Sequence, residues 1–193
     1  MPLVPYEFDA ERFSRWMAYV LRHNPTRYGL QPDQHGYVSL EEFLTIARRR
    51  YPQTTPATLR GLIEGGAGRF EISGDRLRAR YGHSIPVQPA GAPVQPPAHL
   101  YYGIDQQAIA VALRNGLMPT DRQFLHLSGT PEEALAIIRK KSSQPAVLHV
   151  DAASASAAGV RFYREGNVHL APRLPAVYLK QVAEASRSSE PNA

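Results

Sequence analysis

Apolar residues recur at helical spacing behind Asp9: Phe13, Trp16, Met17, Val20 and Leu21 make one face of a first helix. Asp9 suits the cap of its first turn. Arg22-His23-Asn24-Pro25 ends it, because proline disfavours helix at the residue before it. A short strand is predicted at Gly36-Tyr37-Val38. The capping box Ser39-Leu40-Glu41-Glu42 then opens a second helix, with Leu40, Phe43, Leu44 and Ala47 inside and Arg48-Arg49-Arg50 at its solvated end. Thr55-Pro56 starts a third, burying Leu59, Leu62 and Ile63 and stopping at Gly65-Gly66. The period then changes. Arg69 to Ile72, a Ser73-Gly74-Asp75 turn, and Arg76 to Tyr81 read as a β-hairpin. Three helices followed by a hairpin resemble a winged helix.

From Pro86 to Pro97 repeated proline interrupts the pattern, and this stretch reads as a semi-rigid linker. Beyond it His99 to Gly103 is a predicted strand, Gln106 to Leu113 a helix ended by Asn115-Gly116, and Phe124 to Ser128 another strand. Thr130-Pro131-Glu132-Glu133 opens a helix with a basic end at Arg139-Lys140-Lys141. Further strands are expected at Ala146 to Val150, Val160 to Tyr163, Val168 to Leu170 and Val177 to Leu179, with Arg164-Glu165-Gly166-Asn167 as a turn. The expected class is α+β: residues 1–85 as a winged-helix-like lobe, 86–97 as linker, 98–183 as a compact, mainly β lobe, and 184–193 as a frayed tail.

Composition narrows the choices. The chain has 193 residues, no cysteine and seven histidines without metal-like pairing, so disulfides and thiolate metal sites are excluded and no metal is assigned. No apolar run approaches membrane-spanning length, and the first residues lack the pattern of a signal peptide. A soluble, cytoplasmic monomer is the default expectation. The net charge of +5 permits an anionic partner. Its cations are mostly arginine, whose planar fork grips phosphate in two-pronged fashion. No glycine-rich phosphate loop, Ser-His-Asp order or zinc motif is present.

On an extended strand Arg76, Arg78 and Arg80 share one face, with Leu77, Ala79 and Tyr81 on the other. Three guanidinium groups on one face repel one another unless an anion meets them. Gly82 lets the backbone turn, and His83-Ser84 adds two phosphate donors. Alone, the run fits a solvated hairpin face equally well. Arg22 and His23 stand at a helix end, where basic residues also complement the helix dipole.

Together these segments resemble the KptA-type RNA 2′-phosphotransferases, which use NAD+. The resemblance runs from about Phe13 to Leu179. It rests on Tyr19-Val20-Leu21-Arg22-His23 with Gly29-Leu30 and Gly36-Tyr37-Val38, then Arg78-Ala79-Arg80-Tyr81-Gly82-His83-Ser84. Leu100-Tyr101-Tyr102-Gly103, Arg122 to Ser128, and Phe162-Tyr163 with Asn167-Val168 follow in order. The resemblance implies a winged-helix RNA lobe fused to an ADP-ribosyltransferase-like NAD-binding lobe. It implies Arg22, His23, Arg78 and Arg122 as the catalytic set. Arg22, His23, Arg78, His83 and Ser84 would hold RNA phosphate. Tyr102, Gly103, His126, Leu127 and Ser128 would bind NAD+. The implied partner is a tRNA-like RNA carrying a 2′-phosphate.

The chain departs from that family at Tyr102 and Phe124, where histidines are usual, at Ile104 for threonine and Tyr81 for glutamine. Gly166-Asn167-Val168 reorders an Asn-Gly-Val. Two rivals remain open: an ADP-ribosyltransferase that stops after modifying a terminal phosphate or other acceptor, and a winged-helix nucleic-acid-binding protein without enzymatic activity.

Overall fold

Two separate hydrophobic cores divide the chain, one built from Phe13 to Ala79 and the other from Leu100 to Leu179. A computed structural model describes residues 9–66 and 68–182, and the tail expected to fray lies outside the described residues. Helices and strands are both well represented, in agreement with the α+β class.

The first core packs α1 (Ala10–His23), α2 (Leu40–Arg50) and α3 (Pro56–Glu64) against a small sheet. The amphipathic face of α1 buries the five residues its spacing predicts, and Asp9 accepts the Arg12 amide at 2.8 Å. Ser39 and Thr55 cap the other two helices through their hydroxyls. The sheet has the order β1 (Val38–Ser39), β3 (Arg76–Ala79), β2 (Phe70–Ser73), all antiparallel. Gly36 and Tyr37 are absent from β1. Their amides turn back on Asp33, to its carbonyl and its carboxylate respectively, so the strand begins only at Val38. The hairpin strand also ends early, at Ala79 rather than Tyr81.

The second core joins two three-stranded sheets. One has β6 (Pro145–Asp151) between β4 (His99–Asp105) and β9 (Leu179–Gln181). The other has β8 (Val168–Ala171) between β5 (Leu125–Leu127) and β7 (Tyr163–Glu165). They meet where the Tyr101 and Ser128 backbones exchange hydrogen bonds of 3.0 and 2.9 Å. Helices α4 (Ile109–Asn115), α5 (Pro131–Ile138) and α6 (Ala152–Ala157) pack against the first of these sheets. This half is therefore less purely β than expected. The Ala-Ser run of α6 has no apolar period to reveal it, but Asp151 caps it and Ala152 and Ala155 are buried. Two strands also shift. Val160 closes α6 through its amide, which moves the strand to Tyr163–Glu165 and shortens the turn to Gly166-Asn167. Pro175 starts a 3-10 turn over Ala176–Tyr178, so the last strand begins at Leu179.

The proline-rich stretch is stitched to both cores. The Gln88 amide donates to the Gln34 carbonyl at 2.7 Å, Ala90 to Glu165 at 3.2 Å and Val94 to the Phe162 carbonyl at 2.7 Å. Among the described residues no helix is long and apolar enough to cross a membrane.

Candidate active site

Two segments of the first core and one of the second meet at Gly82. Arg22 and His23 arrive on the last turn of α1. The chain leaving β3 runs past them: the Ser84 amide donates to the Arg22 carbonyl at 3.1 Å, and Ser84 Oγ shares a hydrogen bond of 2.8 Å with His23 Nδ1. From the other side Arg122 Nη1 donates to the Gly82 carbonyl at 2.6 Å, and the Gln123 amide to the His83 carbonyl at 3.1 Å. Gly82 has φ +87°. A Cβ there would lie 2.7 Å from Arg122 Nη1 and 3.3 Å from Arg22 Nη1, so both guanidinium groups close on a point where a side chain has no room.

The Arg22 guanidinium lies over Tyr81, 5.1 Å from its ring centre, and 6.0 Å from that of Phe70. Its Nε and Nη2 are buried and find no hydrogen-bond partner among the described residues. No carboxylate there pairs with it. Burial brings its pKa down to about 10; Tyr81 opposes the fall, while Arg122 and Arg69 add to it. The group remains charged at neutral pH, with part of its attraction for an anion unsatisfied.

The surrounding histidines are neutral. Burial, with repulsion from Arg122 and Arg22, takes His126 to about 4. Burial and Arg22 take His83 to about 3, and burial and Arg122 also lower His23. His126 faces Tyr81 with ring centres 5.8 Å apart. His83 is only 4% exposed, its Nε2 buried without a partner among the described residues. A phosphate contact from His83 thus requires a ligand that enters the cleft, whereas Ser84 stands exposed beside His23. Tyr102 is held as a neutral phenol by burial and by the charge of Asp121.

Arg78 differs from the other expected site residues. It is 4% exposed and directs Nε at Glu71 (2.8 Å) and Nη1 and Nη2 at Glu165 (3.1 and 2.8 Å). Arg76 meets Asp33 at 3.0 Å and Arg80 meets Glu71 at 3.6 Å. The arginine face of the hairpin is therefore neutralised by carboxylates of the chain itself. Glu165 was not legible as a partner, being assigned to a turn. The alternation of Tyr163, Arg164 and Glu165 along β7 is the signal that turns it inward.

The other expected ligand positions divide similarly. A Cβ on Gly103 would lie 2.5 Å from the Ala134 carbonyl, so α5 crossing β4 accounts for this glycine. Leu127 points into the second core, and both backbone groups of Ser128 bond to Tyr101. Tyr102 and His126 are left as half-buried polar side chains in the same half. A cleft at His126 is lined by Tyr81, Gly82, His83, Gln123 and Phe124, with Arg78 and Arg80 at its wall. Among the described residues no group of three or more histidine, aspartate or glutamate side chains is arranged to hold a metal ion.

The sequence profile of the RNA 2′-phosphotransferase, Tpt1 / KptA family matches residues 9–173. A Thermococcus kodakarensis protein named Probable RNA 2′-phosphotransferase is 38% identical over 169 residues, covering 86% of this chain and 94% of its own. Proteins of the same name are 36% identical in Agrobacterium fabrum (92% of this chain, 97% of its own) and 34% identical in Acetivibrio thermocellus (89% and 97%).

Proposed function

The chain belongs to the RNA 2′-phosphotransferase, Tpt1 / KptA family, and from that premise we propose that it removes an internal 2′-phosphate from RNA with NAD+ as co-substrate. The products are RNA with a 2′-hydroxyl, nicotinamide and ADP-ribose 1″,2″-cyclic phosphate, by way of an ADP-ribosylated phosphate. The carrying observation is Arg22, a half-buried cation with two buried nitrogens unpartnered among the described residues, facing Arg122 across Gly82. Such a pair is prepared for an anion that brings the missing acceptors.

NAD+ supplies an electrophilic ribose carbon, C1″, with nicotinamide as leaving group. The attacking 2′-phosphate oxygen is already anionic, so this step asks for positioning rather than a strong base. Arg22 and His23 hold the phosphate; a neutral His23 can donate one N–H without competing for its charge. Nicotinamide departs as the phosphate oxygen bonds to C1″. The RNA 2′-oxygen then leaves phosphorus, displaced by the neighbouring ribose hydroxyl, and takes a proton. Negative charge spreads over the phosphorus oxygens, where Arg122 and Arg22 lie fixed. Ser84 and His83 add donors towards the RNA phosphates, and Arg78 anchors the hairpin that carries them. Neutral Tyr102 and His126 suit the hydroxyl and carboxamide groups of NAD+, with Gly103, Leu127 and Ser128 shaping the wall behind them. On this reading residues 1–85 form the winged-helix RNA lobe and 98–183 the ADP-ribosyltransferase-like lobe, joined by 86–97.

Incubation with 2′-phosphorylated RNA and NAD+ should release nicotinamide and the cyclic phosphate in equal amounts. Arg122→Ala should let ADP-ribosylated RNA accumulate. A folded protein that turns over neither substrate ends the proposal. Product that stops at ADP-ribosylation in the parent protein selects the simpler transferase instead.

A further inference from the structure

Glu165 ends β7 at 3% exposure with both oxygens engaged. Oε1 accepts from Arg78 Nη1 at 3.1 Å and from the Ala90 amide at 3.2 Å, and Oε2 from Arg78 Nη2 at 2.8 Å. One carboxylate therefore joins the hairpin of the first core, the proline-rich stretch and the second core. The next residue, Gly166, has φ +60°, and a Cβ there would lie 2.8 Å from the Gly68 carbonyl oxygen. Backbone meets backbone at that point.

A buried ion pair adds little net attraction over apolar packing, because desolvating both groups offsets the Coulomb gain. Its distinctive contribution is direction. Two parallel N–H···O bonds hold a guanidinium plane against a carboxylate plane, whereas an apolar contact can slide. Direction matters here because Arg22 belongs to one core and Arg122 to the other. Neither core alone sets their separation.

We propose that Glu165 is a positioning residue for phosphate transfer: by gripping Arg78 it fixes the β7–β8 hairpin on the β2–β3 hairpin and so sets the distance between Arg22 and Arg122. The kinetic consequence rests on the function proposed above; the geometric one does not.

The chain has no cysteine, so Arg60→Cys on α3 and Ala157→Cys on α6, both exposed, can carry spin labels that report the distance between the cores. In that background Glu165→Gln turns an amide NH2 towards the guanidinium. It is expected to broaden the distance distribution and lower kcat about 10²-fold, the scale of a 1 Å misplacement, with KM for RNA within about threefold. Glu165→Asp keeps the charge and is expected to restore a narrow distribution and at least about a tenth of kcat. Glu71→Gln strips Arg78 of its other carboxylate without touching the bond between cores, and should leave the distribution narrow. An unchanged distribution in Glu165→Gln, or equal broadening in Glu71→Gln, overturns the assignment. If Glu165→Gln does not fold, Glu165→Leu with Arg78→Met leaves no stranded partner across the seam. A broad distribution in that pair supports the assignment and a narrow one overturns it. Should the labelled parent fail to act on 2′-phosphorylated RNA, the functional reading falls while the distances still decide Glu165.

Discussion

At the end of α1 the Arg22 guanidinium lies on aromatic faces with two nitrogens unpartnered among the described residues. On β3, Arg78 aims all three of its nitrogens at Glu71 and Glu165. Both are arginines in one seam, and their charge states part accordingly. Burial dominates at Arg22 and pulls its pKa down to about 10. Burial is also the largest single pull on Arg78, but the hydrogen bonds and charges of Glu165 and Glu71 together prevail and raise it. A buried cation with internal counter-charges belongs to the scaffold. One without them keeps its attraction for something that arrives from outside.

The sharpest way to break this contrast is to delete each side chain in turn. Arg78→Ala strands the buried Glu165 carboxylate and should cost about 3–5 kcal/mol of folding stability, read by urea unfolding. Arg22→Ala removes a cation that the fold leaves uncompensated. It should lower kcat on 2′-phosphorylated RNA by about 10²–10³ while the melting temperature holds or rises. If Arg22→Ala unfolds the protein and Arg78→Ala does not, the contrast is inverted.

A subtler test moves the arginines without deleting them. Gly82→Ala puts a methyl where Arg122 Nη1 and Arg22 Nη1 converge, at a left-handed φ. The strain should cost about 1–2 kcal/mol, and the displaced guanidinium groups should lower kcat about tenfold or more. The smallest effect concerns the histidines around Arg22. In the folded protein His83 sits at about 3 and His126 at about 4, both below their unfolded value of about 6.5. Between those limits the unfolded chain binds protons that the folded one refuses. Stability from these groups is therefore complete above about pH 6.5 and falls as pH drops towards 4. His83→Gln should flatten that fall by about 1 kcal/mol per pH unit in urea titrations between pH 4.5 and 6.5.

Local features were the legible ones. The face of α1, its Asp9 cap and the Gly74-Asp75 hairpin follow from spacing within a few residues. The partners across the seam do not. Arg78 and Glu165 are 87 positions apart, and nothing local says which carboxylate will meet a strand arginine. The arginine face promised an anion, and the fold supplied its own at Arg78 and left the opening at Arg22. Gly82 was legible as a turn, yet the bond from its carbonyl to Arg122 depends on the second core docking. Helix α6 escaped because alanine and serine carry no apolar stripe, and only Asp151 marks its start.

The carboxyl end of α1 gives the Arg22–His23 pair an unusual electrical setting. Peptide dipoles there present a partial negative charge of roughly half an electron, the reverse of the helix starts that commonly cradle anions. The Ser84 amide covers the Arg22 carbonyl and masks part of that charge. The remainder offsets part of the pull that Arg22 and Arg122 exert on a bare ion such as chloride, which offers charge and little else. On the proposed function, a polymer that adds contacts on either side of its phosphate depends less on that pull, so one helix end would tilt the site from a salt towards a strand.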